Sequence, residues 1–248
     1  METTQIRLTV SDGLARITLD GPGTHNALDP ESASALVAAC DEVDADDTVG
    51  VAVITGANRT FCSGAVRDFL TGIGERPADV GYDLMGTVYR AFERVGRLAV
   101  PTVARIEGAA VGAGLNLALA TDLRIATEDA LLRSGFARLG IHPGGGHLHL
   151  LERAAGRQTA AAMGVFARSL RGREAKARGL VWDAVGPDAL DPAVDEACAA
   201  LRADPPLARA IKKSLELTTS PVERWSAATE VERARQLWSL GRRVAGAR

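Results

Sequence analysis

A chain of 248 residues, 46% hydrophobic and 24% charged, is long enough to bury a proper core and has the composition of a globular enzyme-like domain, which excludes disordered and fibrous classes. The formal net charge is −2, and all but three of its 29 basic residues are arginine (the lysines are Lys176, Lys212 and Lys213), with no basic run of the kind that would mark a nucleic-acid binder. No apolar stretch approaches the ~18 uninterrupted residues of a membrane span, and Met1-Glu2-Thr3-Thr4-Gln5 has no leader pattern, so a cytosolic protein is expected.

In chain order, Ile6 to Val10 and Leu14 to Leu19 alternate apolar and polar residues around Ser11-Asp12-Gly13, which predicts a β-hairpin. After a Gly21-Pro22-Gly23 loop, Asp29 as N-cap and Pro30 at the first helical position predict a helix to about Val43. A buried strand from Val49 to Thr55 leads into the small-residue turn Phe61-Cys62-Ser63-Gly64-Ala65. A variable loop from Thr71 to Asp79 and a helix from Tyr82 to Val95 come next. A second buried strand, Pro101 to Ile106, feeds a second turn, Gly108 to Asn116, whose helix runs from Ala113 to Ala120. Short strands are expected at Leu123 to Ala126 and Leu131 to Gly135. Helices are expected at Gln158 to Phe166, Arg173 to Gly179, Pro192 to Ala203, Leu207 to Leu217 and Pro221 to Leu240, punctuated by Asp204-Pro205-Pro206 and Thr219-Ser220-Pro221. Strand, glycine turn and helix in alternation predict right-handed crossovers and a largely parallel sheet, an α/β fold.

The chemistry suggested by the two turns is electrostatic. A strand that feeds a helix through small residues leaves backbone N–H groups unpaired at the positive end of the helix dipole. Two such turns facing each other can place two donors on one developing oxyanion. Cys62 invites a nucleophile reading, but a small residue packed beside a ligand is the plainer one. The odd count of cysteines, Cys40, Cys62 and Cys198, argues for reduced thiols.

At these residues the sequence resembles the crotonase superfamily, whose archetype is enoyl-CoA hydratase. The likeness runs through Asn26-Ala27-Leu28, Val53-Ile54-Thr55-Gly56, Phe61 to Ala65, Pro101-Thr102-Val103-Ala104, Gly108 to Asn116 and Asp122 to Ala126. It continues through Leu139-Gly140-Ile141-His142-Pro143-Gly144-Gly145-Gly146 and Ala175 to Val181. The resemblance implies a crotonase-like ββα spiral over residues 1–190 and a C-terminal helical region over 191–248, packing on the core or on a neighbouring subunit of a homotrimer or dimer of trimers. Trp225 and Trp238 of the last helix are candidates for core packing or interface anchors. The resemblance further implies an acyl-CoA thioester as ligand, with coenzyme A part of the substrate and no separate cofactor. The oxyanion donors would be the N–H groups of Ala65 and Ala113, with CoA contacts near His25, Ala27, Cys62, Ser63, Gly64 and Gly112. Val66 stands where an aspartate is frequent in the family, and Asp122 matches an aspartate that looks structural.

Hydratases of the family carry two glutamates, at positions that read Asn116 and Phe136 here. Neither side chain accepts a proton near neutral pH, so efficient hydration is not expected. A third carboxylate position, used by dienoyl-CoA isomerases, reads Gly144. Asn116 has two readings, a neutral donor that orients a water or polarises a ligand carbonyl, or a cap for polar groups inside the helix. Phe136 fills the vacated volume. Asp68, Glu75, Asp79 and Asp83 lie near the loop after the first turn and read as surface charges. His142, His147 and His149 form the densest imidazole cluster; His142 or His147 is a possible substitute acid/base, and a zinc site is disfavoured because ligands two apart on a helix diverge. Three readings stay open: a divergent enzyme performing isomerisation, thioester hydrolysis or decarboxylation, a noncatalytic acyl-CoA carrier, and a pure scaffold that binds no acyl-CoA.

Overall fold

In the computed structural model, residues 3–219 and 222–244 are described. β1 (Gln5–Ser11) and β2 (Leu14–Asp20) pair antiparallel across Asp12 and Gly13, at φ +48° and +76°, and the two positive φ values match the right-handed twist of the flanking strands. Helix α1 (Pro30–Ala45) starts at Asp29, whose carboxylate accepts the Ser32 N–H at 2.8 Å while the Ser32 hydroxyl accepts the Asp29 N–H at 2.9 Å. β3 (Val51–Gly56), α2 (Arg67–Gly74), α3 (Ala78–Gly96) and β4 (Thr102–Ile106) follow, then β5 (Ala109–Val111) and α4 (Ala113–Ala120). β6 (Leu123–Thr127), β7 (Leu131–Arg133), α5 (His147–Ala160), β8 (Ser169–Arg171), α6 (Gly172–Ala177) and β9 (Asp183–Val185) complete the spiral. The chain ends in α7 (Leu190–Ala203), α8 (Pro205–Thr219) and α9 (Val222–Val244).

The main sheet has the order β1-β2-β3-β4-β6-β9, parallel everywhere except β1/β2, and a small sheet β5-β7-β8 stands beside it. Both faces of the main sheet are covered, which explains the continuous apolar run of β3. Ala52 and Ile54 pack with Leu36 and Val43 of α1 and with Phe92 of α3, whereas Val51 and Val53 pack with Leu190, Val194 and Cys198 of α7. Two part-buried polar ties join helix α8 to the chain's own core. Lys212 of α8 contacts Asp122 at 2.6 Å, and Asp122 also accepts the backbone N–H and hydroxyl of Thr102. Arg209 donates to the carbonyls of Val43, Asp46 and Val49 at the end of α1.

Three expectations change. The segment expected as a loop from Thr71 to Asp79 is largely helical, because α2 buries Ile73 and packs against α9, a partner far away in sequence. The helix expected to open at Gln158 opens at His147, kinks at Ala155 and Gly156 and ends in a π-helical turn over Ala161–Val165. Its start is invisible locally because its cap is remote: Glu232 of α9 accepts the N–H groups of His147 at 2.7 Å and Leu148 at 3.0 Å. Strands β5, β8 and β9 add to the expected ones; each is three residues long and is defined by pairing with β7 or β6, which lie far away in sequence. The expected breaker Ser220-Pro221 lies outside the described residues. Trp225 is buried and donates to the Gly145 carbonyl at 3.2 Å, while Trp238 is exposed. No helix among the described residues is long and apolar enough to cross a membrane.

Candidate active site

The two glycine turns are joined directly by backbone hydrogen bonds. Cys62 N–H donates to the Ala109 carbonyl and Val111 N–H to the Cys62 carbonyl, both at 3.0 Å. On its other side the first turn is held by residues 25–28: Ser63 N–H donates to the His25 carbonyl, Leu28 N–H to Gly64, and Val66 N–H to Leu28. Such close packing needs residues without a Cβ. A Cβ on Gly64, which sits at φ +111°, would lie 2.9 Å from the Val111 carbonyl oxygen and 3.7 Å from the Ala113 nitrogen, so the turns meet at these two residues.

These bonds leave specific amides over. The N–H groups of Cys62, Ser63 and Val66 are satisfied, but the Ala65 amide donates to no described residue. Ala113 is the first residue of α4, behind a Gly112 N-cap that offers no side chain, and its amide likewise has no acceptor among the described residues. Ala65 and Ala113 line the same cleft, about 600 Å³ including its open mouth. Its walls are mostly apolar, from Phe69 and Leu70 of α2, Met85 and Phe92 of α3, and Phe136, Leu139 and Ile141 of the segment after β7. Two unpaired donors in such a setting are strong ligands for a carbonyl oxygen that gains charge.

Asn116, four residues into the same helix, is buried and fully committed on one edge. Its Nδ2 donates to the Gly144 carbonyl at 2.8 Å and its Oδ1 accepts from His147 Nδ1 at 2.6 Å. The other ring nitrogen of His147, Nε2, lies 2.7 Å from the Ser134 hydroxyl. Because the amide oxygen faces Nδ1, that nitrogen carries the proton, and Nε2 accepts from Ser134. Burial pushes the His147 pKa down to about 3, so the ring is neutral through the physiological range. The Phe136 ring meets the imidazole edge-on, with centroids 4.9 Å apart. Gln236 of α9 and Tyr89 of α3, joined by a hydrogen bond, close the far side of the cleft.

Of the residues singled out from sequence, Ser63, Gly64, Ala65, Gly112, Ala113, Asn116 and Phe136 line this cleft. His25, Ala27, Cys62 and His142 do not. His25 is exposed and contributes its carbonyl to the first turn; Ala27 is buried and its carbonyl accepts the Thr4 hydroxyl at 2.6 Å. Cys62 is buried with its thiol pKa pushed up to about 12, which keeps it protonated and unreactive. His142 opens instead onto a second cavity between α5 and α9, with His149, Glu152 and Arg235. Asp68, Glu75, Asp79 and Asp83 are exposed and line neither cavity. Among the described residues no group of three His, Cys, Asp or Glu side chains is arranged to hold a metal ion. Sequence reading passed over Ser134, Tyr89 and Gln236. Ser134 carries no local signal, since only the pairing of β7 with β5 brings it beside the second turn.

A ββα spiral with two strand-turn-helix units locked together around one apolar cleft is the architecture of the crotonase superfamily. The sequence model of the enoyl-CoA hydratase/isomerase family matches residues 9–239, and the chain belongs to that family. It is 37% identical over 216 residues to a probable enoyl-CoA hydratase of Mycobacterium tuberculosis, covering 87% of this chain and 83% of the relative. It is 31% identical over 185 residues to the 1,2-epoxyphenylacetyl-CoA isomerase of Escherichia coli, covering 73% and 70%. Among solved structures, an enoyl-CoA hydratase from Mycobacterium avium subsp. paratuberculosis superposes with a TM-score of 0.82 at 29% identity, over 95% of this chain and 93% of that one.

Proposed function

We propose that this protein binds an acyl-CoA thioester in the cleft between the two turns and polarises the thioester carbonyl with the N–H groups of Ala65 and Ala113. The observation that carries the reading is the pair of amides without acceptors, brought together by turns that are hydrogen-bonded to each other. Two donors of this kind stabilise either an enolate formed by loss of the α-proton or a tetrahedral oxyanion formed by attack on the carbonyl. Efficient hydration does not fit. Asn116 spends its oxygen on His147, Phe136 offers no base, and among the described residues no carboxylate lines the cleft. Isomerisation, thioester hydrolysis and decarboxylation remain compatible, and the chemistry requires no cofactor beyond the coenzyme A of the substrate.

The same reading makes the protein a cytosolic homotrimer or dimer of trimers. Free, buried Cys40, Cys62 and Cys198 support a reducing compartment, and the strongly exposed Phe166, Val165 and Trp182 supply apolar surface for subunit contact. Light scattering on the purified protein tests the assembly.

The functional test incubates the protein at near-stoichiometric concentration with enoyl-, saturated and carboxyacyl-CoA thioesters and follows product masses, beside an Ala65→Pro control lacking one donor. A product that appears with wild type and vanishes with the control supports an enzyme and names its reaction. Bound but unchanged thioesters favour the carrier reading, to which the absence of both glutamates also points.

A further inference from the structure

Ser134, His147 and Asn116 stand in the order nucleophile, base, orienting group. Ser134 Oγ lies 2.7 Å from His147 Nε2, and His147 Nδ1 lies 2.6 Å from Asn116 Oδ1. We propose that these three residues form a hydrolytic relay in which Ser134 accepts the acyl group of the CoA thioester, making the protein an acyl-CoA thioesterase that works through an acyl-serine. The proposal rests on the thioester reading above, because the oxyanion of its intermediates would sit on the Ala65 and Ala113 amides.

Four features separate this arrangement from an ordinary buried polar network. First, Ser134 lines the same cleft as both amides. The β5/β7 pairing places Arg133 opposite Val111, and Gly112 N–H donates to the Arg133 carbonyl at 2.9 Å, so Ser134 falls beside the residue that precedes Ala113. Second, the Ser134 hydroxyl has no described side-chain or backbone partner other than His147. Third, an asparagine can serve an imidazole only with its oxygen turned toward the ring; turned the other way it forces the wrong tautomer. Here the Gly144 carbonyl holds Nδ2, which fixes the oxygen toward Nδ1 and leaves Nε2 free to take a proton from serine. Fourth, the ring is neutral at rest, so Nε2 has a free lone pair for the serine proton; burial lowers its basicity, and the oxyanion that forms at the same moment on the Ala65 and Ala113 amides offsets the imidazolium.

The steps balance. Ser134 Oγ attacks the thioester carbonyl carbon, forming the C–O bond as its proton passes to His147 Nε2. The oxyanion collapses, the C–S bond breaks, and the CoA thiolate leaves with the proton from Nε2. Water then enters, gives a proton to Nε2 and attacks the acyl-serine. Breaking the ester returns the proton to Ser134 and releases the carboxylic acid. The sum is thioester plus water giving acid plus CoA thiol. Asn116 is a positioning residue, since it acts only through the imidazole.

The experiment measures free thiol released from saturated acyl-CoA substrates by wild type and Ser134→Ala, together with acyl-CoA affinity and the intact mass of acid-quenched wild-type protein. We expect equimolar thiol and carboxylate from wild type, a loss of roughly a thousandfold or more in Ser134→Ala with affinity changed less than about threefold, and an acyl adduct mapping to Ser134. Asn116→Asp should move the acid limb of the rate profile to higher pH, because a carboxylate beside Nδ1 stabilises the imidazolium; a purely structural Asn116 would leave the limb in place. Thiol release that survives in Ser134→Ala, or an isomerised or hydrated product without thiol release, overturns the relay and leaves the oxyanion reading standing. Failure of wild type to bind any acyl-CoA overturns both. Adduct mapping on wild type keeps the test independent of how well the alanine variant folds.

Discussion

Replacing Ala113 by proline removes one hydrogen from the proposed oxyanion site and little else. Ala113 is the first residue of α4, the one helical position where the proline φ is already suitable and the missing N–H breaks no helical bond. The residue before a proline is usually driven to extended backbone. Gly112, at φ +54° and ψ −114°, is the mirror image of that conformation, which a glycine adopts without strain. The amide lost has no acceptor among the described residues, so stability should change by no more than about 1 kcal/mol. Turnover should fall about a hundredfold to a thousandfold, the effect of deleting one oxyanion donor, equivalent to roughly 3–4 kcal/mol of transition-state stabilisation. The assay pairs urea unfolding with single-turnover conversion of whichever thioester wild type consumes. Since the proline ring carries a carbon where the hydrogen was, affinity for an unreactive acyl-CoA thioether is measured alongside. Retained stability and binding with turnover within about threefold of wild type would refute the argument.

Gly64→Ala should cost about 1–3 kcal/mol and weaken acyl-CoA binding, because φ +111° strains any side chain and the new methyl presses on the Val111 carbonyl; an unchanged melting temperature counts against the close contact of the turns. His147, held neutral by burial with a pKa moved from 6.5 to about 3, binds fewer protons folded than unfolded between those values. Its contribution is therefore complete above pH 6.5 and is lost as pH falls toward 3, at most roughly 5 kcal/mol, and His147→Leu should flatten that limb of the stability curve. Glu232 behaves oppositely, since burial raises its pKa from 4.5 to about 7 against the pull of the helix N–H groups it accepts. Its contribution is full below pH 4.5 and is lost as pH rises through 7. Wild type should thus gain roughly 3 kcal/mol on Glu232→Gln between pH 8 and pH 4.5, and parallel urea curves for the two proteins across that range would contradict the assignment.

The parts of the fold legible in the sequence are those decided by neighbours in the chain. The Asp12-Gly13 hairpin, the Asp29-Pro30 helix start and the continuous apolar run of β3 each follow from residues a few positions apart. The glycine turns were legible for the same reason, because a close backbone approach demands glycine at Gly64. What was hidden depends on distant partners. Helix α5 has no local cap, since Glu232 supplies it from 85 residues away. Asn116, read as either a ligand contact or a cap inside its own helix, is tied instead to His147 and Gly144, positions 31 and 28 residues further on. His142 looked the better imidazole because it adjoins the segment bordering the cleft, yet its backbone N–H is held by Ser239 of α9 and its ring borders the other cavity. No spacing rule in the chain joins Ser134 to His147; the pairing of β7 with β5 seats Ser134 beside the second turn, whose helix carries the Asn116 that holds His147.

The most direct measurement is a crystal structure with an acyl-CoA analogue whose sulfur is replaced by methylene, which keeps the carbonyl oxygen but cannot be cleaved. That oxygen should lie within about 3 Å of both the Ala65 and Ala113 nitrogens, with the acyl chain running toward Phe136 and Ile141. An acyl-CoA bound with its carbonyl away from both amides, or bound outside this cleft, would contradict it.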